Sequence, residues 1–526
     1  MPSTPYAAAV DHLYALGLEL APPKEGAVRR KWGLASMRTL AEALGNPQTA
    51  FPSILIAGTN GKGSTAATLA SILTAAGYRT ALYTSPHLVR VNERIQIDGL
   101  QIDDEDFARL YFRVDETASR LVAEAKLPQP PSFFEVLTAV AFTYFADKKM
   151  DGTEERPVDI AILEVGLGGR LDATNIVDPL LSIITDIALD HQDYLGTTIA
   201  EITREKCGIL RLNGTLITLP QHPEANQAIG EAAATLHLHA ISAAEFIPPI
   251  AIRNSVISTG AQRSGETPAF RPCLSSSIHP QESAILSAAE GPALAAAVAP
   301  SSHPLIENRY TLTLDNQPLQ VDSPLPGHHQ QRNLALAIAA AAALRNPSSY
   351  TVSGEKNKYS YKIPNSAIEA GIRATHWPGR LELLHNADGP DLLLDVAHNP
   401  AGAWTLRAAI AQLPEDRPRT LIFSCLRDKN LDEMSRILFP LFDSSTGADP
   451  LRRHDHLIFA PIANPRASTV EDLLAAAHAL AVPAHAAPHV AAALAQARQI
   501  TPPDGLILAT GSVYLIGELL HLAGHA

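Results

Sequence analysis

The run GTNGKGST, residues 58–65, sets Gly58, Gly61 and Gly63 around one lysine, Lys62, directly after the apolar ILIA of 54–57. Glycine lets a backbone turn through positive φ and approach an anion without Cβ interference, and a helix starting near Ser64 aims free N–H groups into the same space. Lys62 adds a point charge. The run departs from the phosphate-loop spacing G-x-x-x-x-G-K-[ST], because position 56 is Ile and Gly63 stands between Lys62 and Ser64. A tight turn with a surface lysine is the plainer reading, but a buried strand before and a helix after favour a phosphate cradle.

Three later stretches place polar groups at strand ends. TSPHLVRVNERI (84–95) offers Ser85 and His87, AILEVGLGGRLDATN (161–175) ends an apolar strand on Glu164 before Gly166, Gly168 and Gly169, and IITDIALDHQDYLG (183–196) brings Asp190, His191 and Asp193 into a short loop. A carboxylate closing an apolar strand needs a partner. A hard cation would serve, as would Arg170 or a helix cap. The lysine of TIAEITREKCGIL (198–210), Lys206, stands near Glu201 and Glu205, where a surface ion pair is the plain expectation.

Positioning these groups requires a scaffold, and the chain supplies one. Apolar runs at 54–57, 80–84, 158–165, 181–185, 215–219, 391–396, 420–424, 456–460 and 505–510 mostly precede helix-like stretches. Short buried strands alternating with helices predict parallel α/β sheets. At 526 residues and 46% hydrophobic the chain exceeds what a single core holds. The expected fold is an N-terminal phosphate-loop ATPase domain with a mostly parallel sheet, residues 1–374, then a smaller Rossmann-like α/β domain, residues 375–526, joined by a hinge near 374–378. Residues 247–306, rich in Pro, Ser and Ala, read as an insertion, and 347–362 as a polar extension.

A net charge of −13 and a pI near 5.8 argue against a nucleic-acid or anionic-lipid partner. Cys207, Cys273 and Cys425 form no C-x-x-C pair, which argues against a disulfide framework or structural zinc. With no leader-like start and no apolar run of membrane length, a soluble cytoplasmic protein is expected, without a membrane partner.

GTNGKGST, TSPHLVRVNERI, SFFEVLTA, LEVGLGGRLDATN, LDHQDYLG, EKCGILR, HHQQRNLALA, WPGRLE, LDVAHNP and TGSVYLIGE, spread in order from about 10 to 520, together resemble the folylpolyglutamate synthase and dihydrofolate synthase family, a branch of the Mur-type ATP-dependent amide ligases. The resemblance implies ATP and Mg2+ with two metal positions, and substrates dihydropteroate, folates and L-glutamate, in a monomer. It implies that Gly58, Thr59, Asn60, Gly61, Lys62, Gly63 and Ser64 hold the ATP phosphates, that Asn333 contacts the base, Arg380 the phosphates and Asp395 the ribose or phosphate. Ser85, Glu164, His191 and Lys206 would hold the metal, Lys206 at the position carbamylated in such ligases, and His398 would act near an acyl phosphate beside the catalytic Lys62 and Lys206. Ser132, Phe133, Phe134, Glu135, Arg170, Leu171 and Asp172 match the pteridine-binding segments. A UDP-muramoyl peptide ligase, a motor-type ATPase and a non-catalytic folate binder are the competing readings. The TSPHLVRVNERI and SFFEVLTA segments oppose the first, the second α/β domain opposes the second, and the presence of Lys62, Glu164, His191 and Lys206 opposes the third.

Overall fold

In the computed structural model the described residues are 4–17, 33–147, 156–249, 305, 307–346, 359–445 and 454–524. Most of the 247–306 insertion, most of the 347–362 extension and Cys273 lie outside them.

Strands β1 (Ser53–Ala57), β2 (Thr80–Tyr83), β3 (Ile95–Ile97), β4 (Leu100–Gln101), β5 (Ile160–Glu164), β6 (Leu181–Ile184), β7 (Thr215–Thr218) and β8 (His239–Ser242) form one sheet, in the order β4-β3-β2-β5-β1-β6-β7-β8. From β2 to β8 every pairing is parallel, and only the β2–β3 and β3–β4 pairings at one end are antiparallel. The central strands are buried on both faces, which is why they read as unbroken apolar runs. One face packs helices Pro5–Ala15, Asp104–Ala123 and Phe133–Ala146, and the other packs Lys62–Ala75 and the alanine-rich His328–Arg345. That last helix buries Ala and Leu around most of its circumference, because it is sandwiched between the sheet and its neighbours. A separate antiparallel hairpin, β9 (Asn308–Leu314) and β10 (Gln317–Ser323), packs against helix Asn365–Ala374.

A second sheet comprises β11 (Glu382–Leu384), β12 (Asp391–Leu394), β13 (Arg419–Phe423), β14 (His456–Phe459), β15 (His485–Ala486) and β16 (Leu506–Thr510), in the order β11-β12-β16-β13-β14-β15. It is parallel except where β11 joins β12. Helices on both faces give it its own cores, one around Phe423, Phe439 and Phe459, the other around Ile458, Ile507 and Ile516. These two sheets with their helices are the two lobes of the molecule. In each lobe the loops leaving the carboxyl ends of parallel strands are where ligands of open α/β sheets collect.

Candidate active site

The loop after β1 turns through Gly61, whose φ of +86° a side chain would resist, and whose missing Cβ would lie 2.1 Å from Asn333 Oδ1. Gly61 also starts helix Lys62–Ala75, and no side chain caps that helix, leaving first-turn N–H groups for an anion. The loop is tied down from the next strand: Thr59 and Asn60 both donate backbone N–H to Asp186 O, at 2.8 and 3.1 Å. The Thr59 hydroxyl exchanges hydrogen bonds with the Ala188 backbone at 3.1 Å. Lys62 curls back, Nζ donating to Thr59 O at 3.1 Å.

Around this cradle the strand-end residues converge. Buried Glu164 accepts the Ser85 N–H at 3.1 Å. Burial raises its pKa, and Lys62, the Ser85 N–H and Arg380 oppose the rise. The alternative partner named from sequence is otherwise engaged, since Arg170 pairs with Glu205 at 2.9 Å. Lys206 is not a surface lysine. Its side chain is buried, its Nζ donates to Gly58 O at 2.6 Å, and burial followed by the nearby Lys62 charge pushes it down to about 7. His191 holds a left-handed backbone, φ 51°, and its buried Nδ1 has no protein partner. Burial, then Lys429, lowers it to about 3, so it is a neutral imidazole.

The second lobe closes the other side. Arg380 donates to Pro378 O at 2.9 Å with its guanidinium 5.5 Å over the Trp377 ring, and burial lowers its pKa while Asp395 and Glu164 work the other way. Trp377 in turn rests on Gly63, where a Cβ would sit 2.6 Å from Cζ2. Asp395 accepts N–H groups from Leu381 and Ala397 at 3.0 and 2.9 Å. His398 pairs Nδ1 with Val396 O at 2.8 Å, and its Nε2 lies 3.7 Å from Asp190. Burial and Lys429 lower its pKa to about 4. Asn333 is buried against Gln330, Nδ2 donating at 2.8 Å.

The pteridine candidates divide by task. Ser132 and Glu135 form a capping box for helix Phe133–Ala146, with Ser132 N–H to Glu135 Oε2 at 2.7 Å and Glu135 N–H to Ser132 Oγ at 3.3 Å. Phe133 is 3% exposed, packed between the Arg94 guanidinium and Tyr14, so it has no free face for a heterocycle. Phe134 is half-buried, lies over Gly166, and keeps more of its ring open. Both oxygens of Asp172 are taken by its own loop, one by Gly166 and Leu167 N–H and the other by Thr174 N–H and Oγ1, so it shapes the glycine turn. Leu171 is half-buried beside it.

Sequence reasoning assigned no role to Lys429, Asn399 or Trp377, and quoted Asp190 without one. Lys429 Nζ lies 2.6 Å from Asp190 Oδ1 and 3.3 Å from His191 Nε2. In LRDKN (426–430) nothing marks that lysine, because only the fold brings it to Asp190. Asp190 and Asn399, by contrast, sit inside the LDHQD and AHNP motifs and could have been drawn from them.

Comparison with known proteins identifies the family. Residues 379–513 match the glutamate ligase domain of the Mur ligases. Over 490 residues, 93% of this chain and 94% of its relative, the chain is 31% identical to the dihydrofolate synthase/folylpolyglutamate synthase of Bacillus subtilis. Its fold superposes on the folylpolyglutamate synthase of Mycobacterium tuberculosis complexed with ADP and AMPPCP, with a TM-score of 0.74 and 27% identity over 99% of each chain. It also matches Escherichia coli FolC in complex with DHPP and ADP, with a TM-score of 0.68 and 25% identity over 99% and 98% of the two chains. The two-lobed α/β fold and this extent of identity make the chain a member of the dihydrofolate synthase/folylpolyglutamate synthase family.

Proposed function

We infer that the protein is an ATP-dependent ligase that joins L-glutamate to dihydropteroate and to folates already carrying glutamate, through an acyl phosphate. The observation that carries this is the meeting of Lys62, Glu164, Lys206 and His191 from one lobe with Arg380 and His398 from the other around one uncapped helix N-terminus. A carboxylate is a poor electrophile. Attack by its oxygen on the γ-phosphorus of ATP releases ADP and yields an acyl phosphate, which the glutamate amine then opens with loss of phosphate. Two anions must approach for the first step, and Lys62, Arg380 and the free N–H groups of helix Lys62–Ala75 would take up that charge. Asn333 would contact the base, and Asp395 would bind the ribose or phosphate from across the cleft.

Magnesium suits the donors present. That ion is bound by one or two protein groups plus phosphate oxygens. Buried Glu164 and the orphaned Nδ1 of His191 supply such groups, with Ser85 beside them. When bound, the metal neutralises phosphate charge. A lysine lowered to about 7 carries a large neutral fraction at cellular pH, the form that adds CO2, so carbamylation of Lys206 would replace a cation with oxygen ligands. His398, neutral and anchored through Nδ1, is too weak a base to hold a proton near neutrality, and its part would be polar contact near the acyl phosphate. Phe134, with Arg170 and Leu171 at the same turn, would border the pteridine.

The domain boundary is placed near 374, with the ATP-binding domain before it and the glutamate-ligase domain after it. No described helix is long and apolar enough to cross a membrane. A cytoplasmic location fits buried, unbridged Cys207 and Cys425. ADP release measured against an acceptor panel tests the function: glutamate-dependent turnover with dihydropteroate and with folyl-glutamate is expected, and turnover with UDP-muramoyl peptides alone, or none, would overturn it.

A further inference from the structure

One carboxylate, Asp190, stands at the centre of the polar bonds between the lobes. Asp190, in the loop after β6, accepts Lys429 Nζ at 2.6 Å and Asn399 Nδ2 at 3.2 Å, and its other short bond is from the His191 N–H at 2.9 Å. Asn399 Nδ2 also donates to Asn60 Oδ1 at 3.0 Å, in the phosphate loop. The Asn399 amide cannot flip without loss, because its Oδ1 caps helix Pro400–Ile410 through the Gly402 N–H at 2.8 Å. Lys429 and Asn399 follow β13 and β12 of the second lobe, whereas Asp190 and Asn60 follow β6 and β1 of the first. The charged pair is nearly dry, with side-chain exposures of 5% for Lys429 and 8% for Asp190. Breaking such a pair halfway strands a buried charge, so the contact is either made or fully released.

We propose that Asp190 is the pin of lobe closure, gripped from the second lobe by Lys429 Nζ and Asn399 Nδ2, and that these three residues are positioning residues that keep water from the acyl phosphate until the amine arrives. The proposal rests on the ligase reading above. If closure is loose, water adds to the acyl carbon, the carbon–oxygen bond to the phosphoryl group breaks, and the acceptor carboxylate is regenerated with free phosphate. ATP is then consumed without an amide being formed. None of the three needs to touch substrate for this effect, so its mark is poor coupling and not loss of ATP consumption.

The test is the ratio of ADP formed to glutamate joined, measured on the full chain with saturating substrates. The wild type is expected near about one, and K429M to rise at least about threefold with ADP affinity unchanged within about twofold, because solvent exclusion and not nucleotide binding is lost. N399D keeps the capping oxygen but turns a carboxylate toward Asp190, and it should uncouple in the same way, which also covers the case in which K429M fails to fold. The double variant D190N/K429M should match the worse single variant, since the pair acts as a unit. Coupling unchanged in K429M and N399D, or single effects that multiply in the double, overturns the proposal. A wild type that joins glutamate to no folate acceptor sinks the ligase reading, whereas a coupled wild type with equally coupled variants sinks this inference alone.

Discussion

Lys206 shows how burial changes what a residue can do. On an exposed helix face it would pair with Glu201 or Glu205, but Glu205 is spent on Arg170 and Glu201 caps its own helix through Thr197 and Thr198. Lys206 instead reaches Gly58 O inside the phosphate loop. K206A should lose activity by on the order of a hundredfold or more, as for loss of a preorganised charge in an active site, and recover part of it with formate or acetate in the assay if a carbamate is the working form. No rescue at any concentration would leave the free amine as that form. His329 offers a stability test. Burial, then Arg380, lowers it to about 4, so the folded state favours the neutral ring more than the unfolded chain does. Its contribution is full above the unfolded value near about 6.5 and is lost as pH falls from there through about 4. H329Q should therefore narrow the stability difference between pH 7 and pH 4.5 by on the order of 1 kcal/mol, read from denaturant midpoints at the two pH values.

At the scale of elements, caps and strand ends hold the site. The Ser132–Glu135 box fixes the start of helix Phe133–Ala146, which in turn sets Phe134 against Gly166. S132A should cost about 1 kcal/mol of stability, with the KM for dihydropteroate changing less than twofold. A large KM change at unchanged stability would move Ser132 from cap to substrate contact. The nine apolar runs all became strands, because a parallel strand buried on both faces must be apolar throughout. The edge strands β4, β8, β11 and β15, the short β3 and the β9–β10 hairpin gave no such run. They are short or half-solvated, and their residues alternate or are polar. The candidate site was legible for a related reason: Gly61 and Glu164 stand out in sequence as glycine or charge where a strand stops, and His191 as a polar group in the loop that follows one. Lys429 does not, since a lysine between Asp428 and Asn430 reads as solvated and becomes buried only when the lobes meet.

For the molecule as a whole, the segment carrying Ser85 is shared between lobes. Glu93 accepts the N–H groups of Leu88, Val89 and Arg90 at 2.7, 2.8 and 2.6 Å, which stiffens the loop, and Leu88 and Val89 pack on the second lobe's core. The Leu88 carbonyl lies only 1.9 Å from where a Cβ on Gly517 would stand, in helix Val513–Leu522. Beside this contact opens a cavity of about 620 Å³ lined by Ser71 and Thr74 of the first lobe and by Arg380 and Val513 of the second. A methyl group at 517 meets backbone in a braced loop, so it cannot be absorbed by a side-chain turn. The loop must shift, and Ser85 and its N–H to Glu164 shift with it. G517A is thus expected to destabilise by about 1–3 kcal/mol, the usual scale of overpacking, and to lower kcat more than tenfold. G230A is the matched control: nothing lies within 4 Å of its added methyl on helix Pro223–Thr235, and it should keep full activity. If G517A kept wild-type kcat while G230A behaved as expected, the Leu88 contact would be packing without consequence for the site, and the lobes would be coupled through Asp190 and the hinge alone.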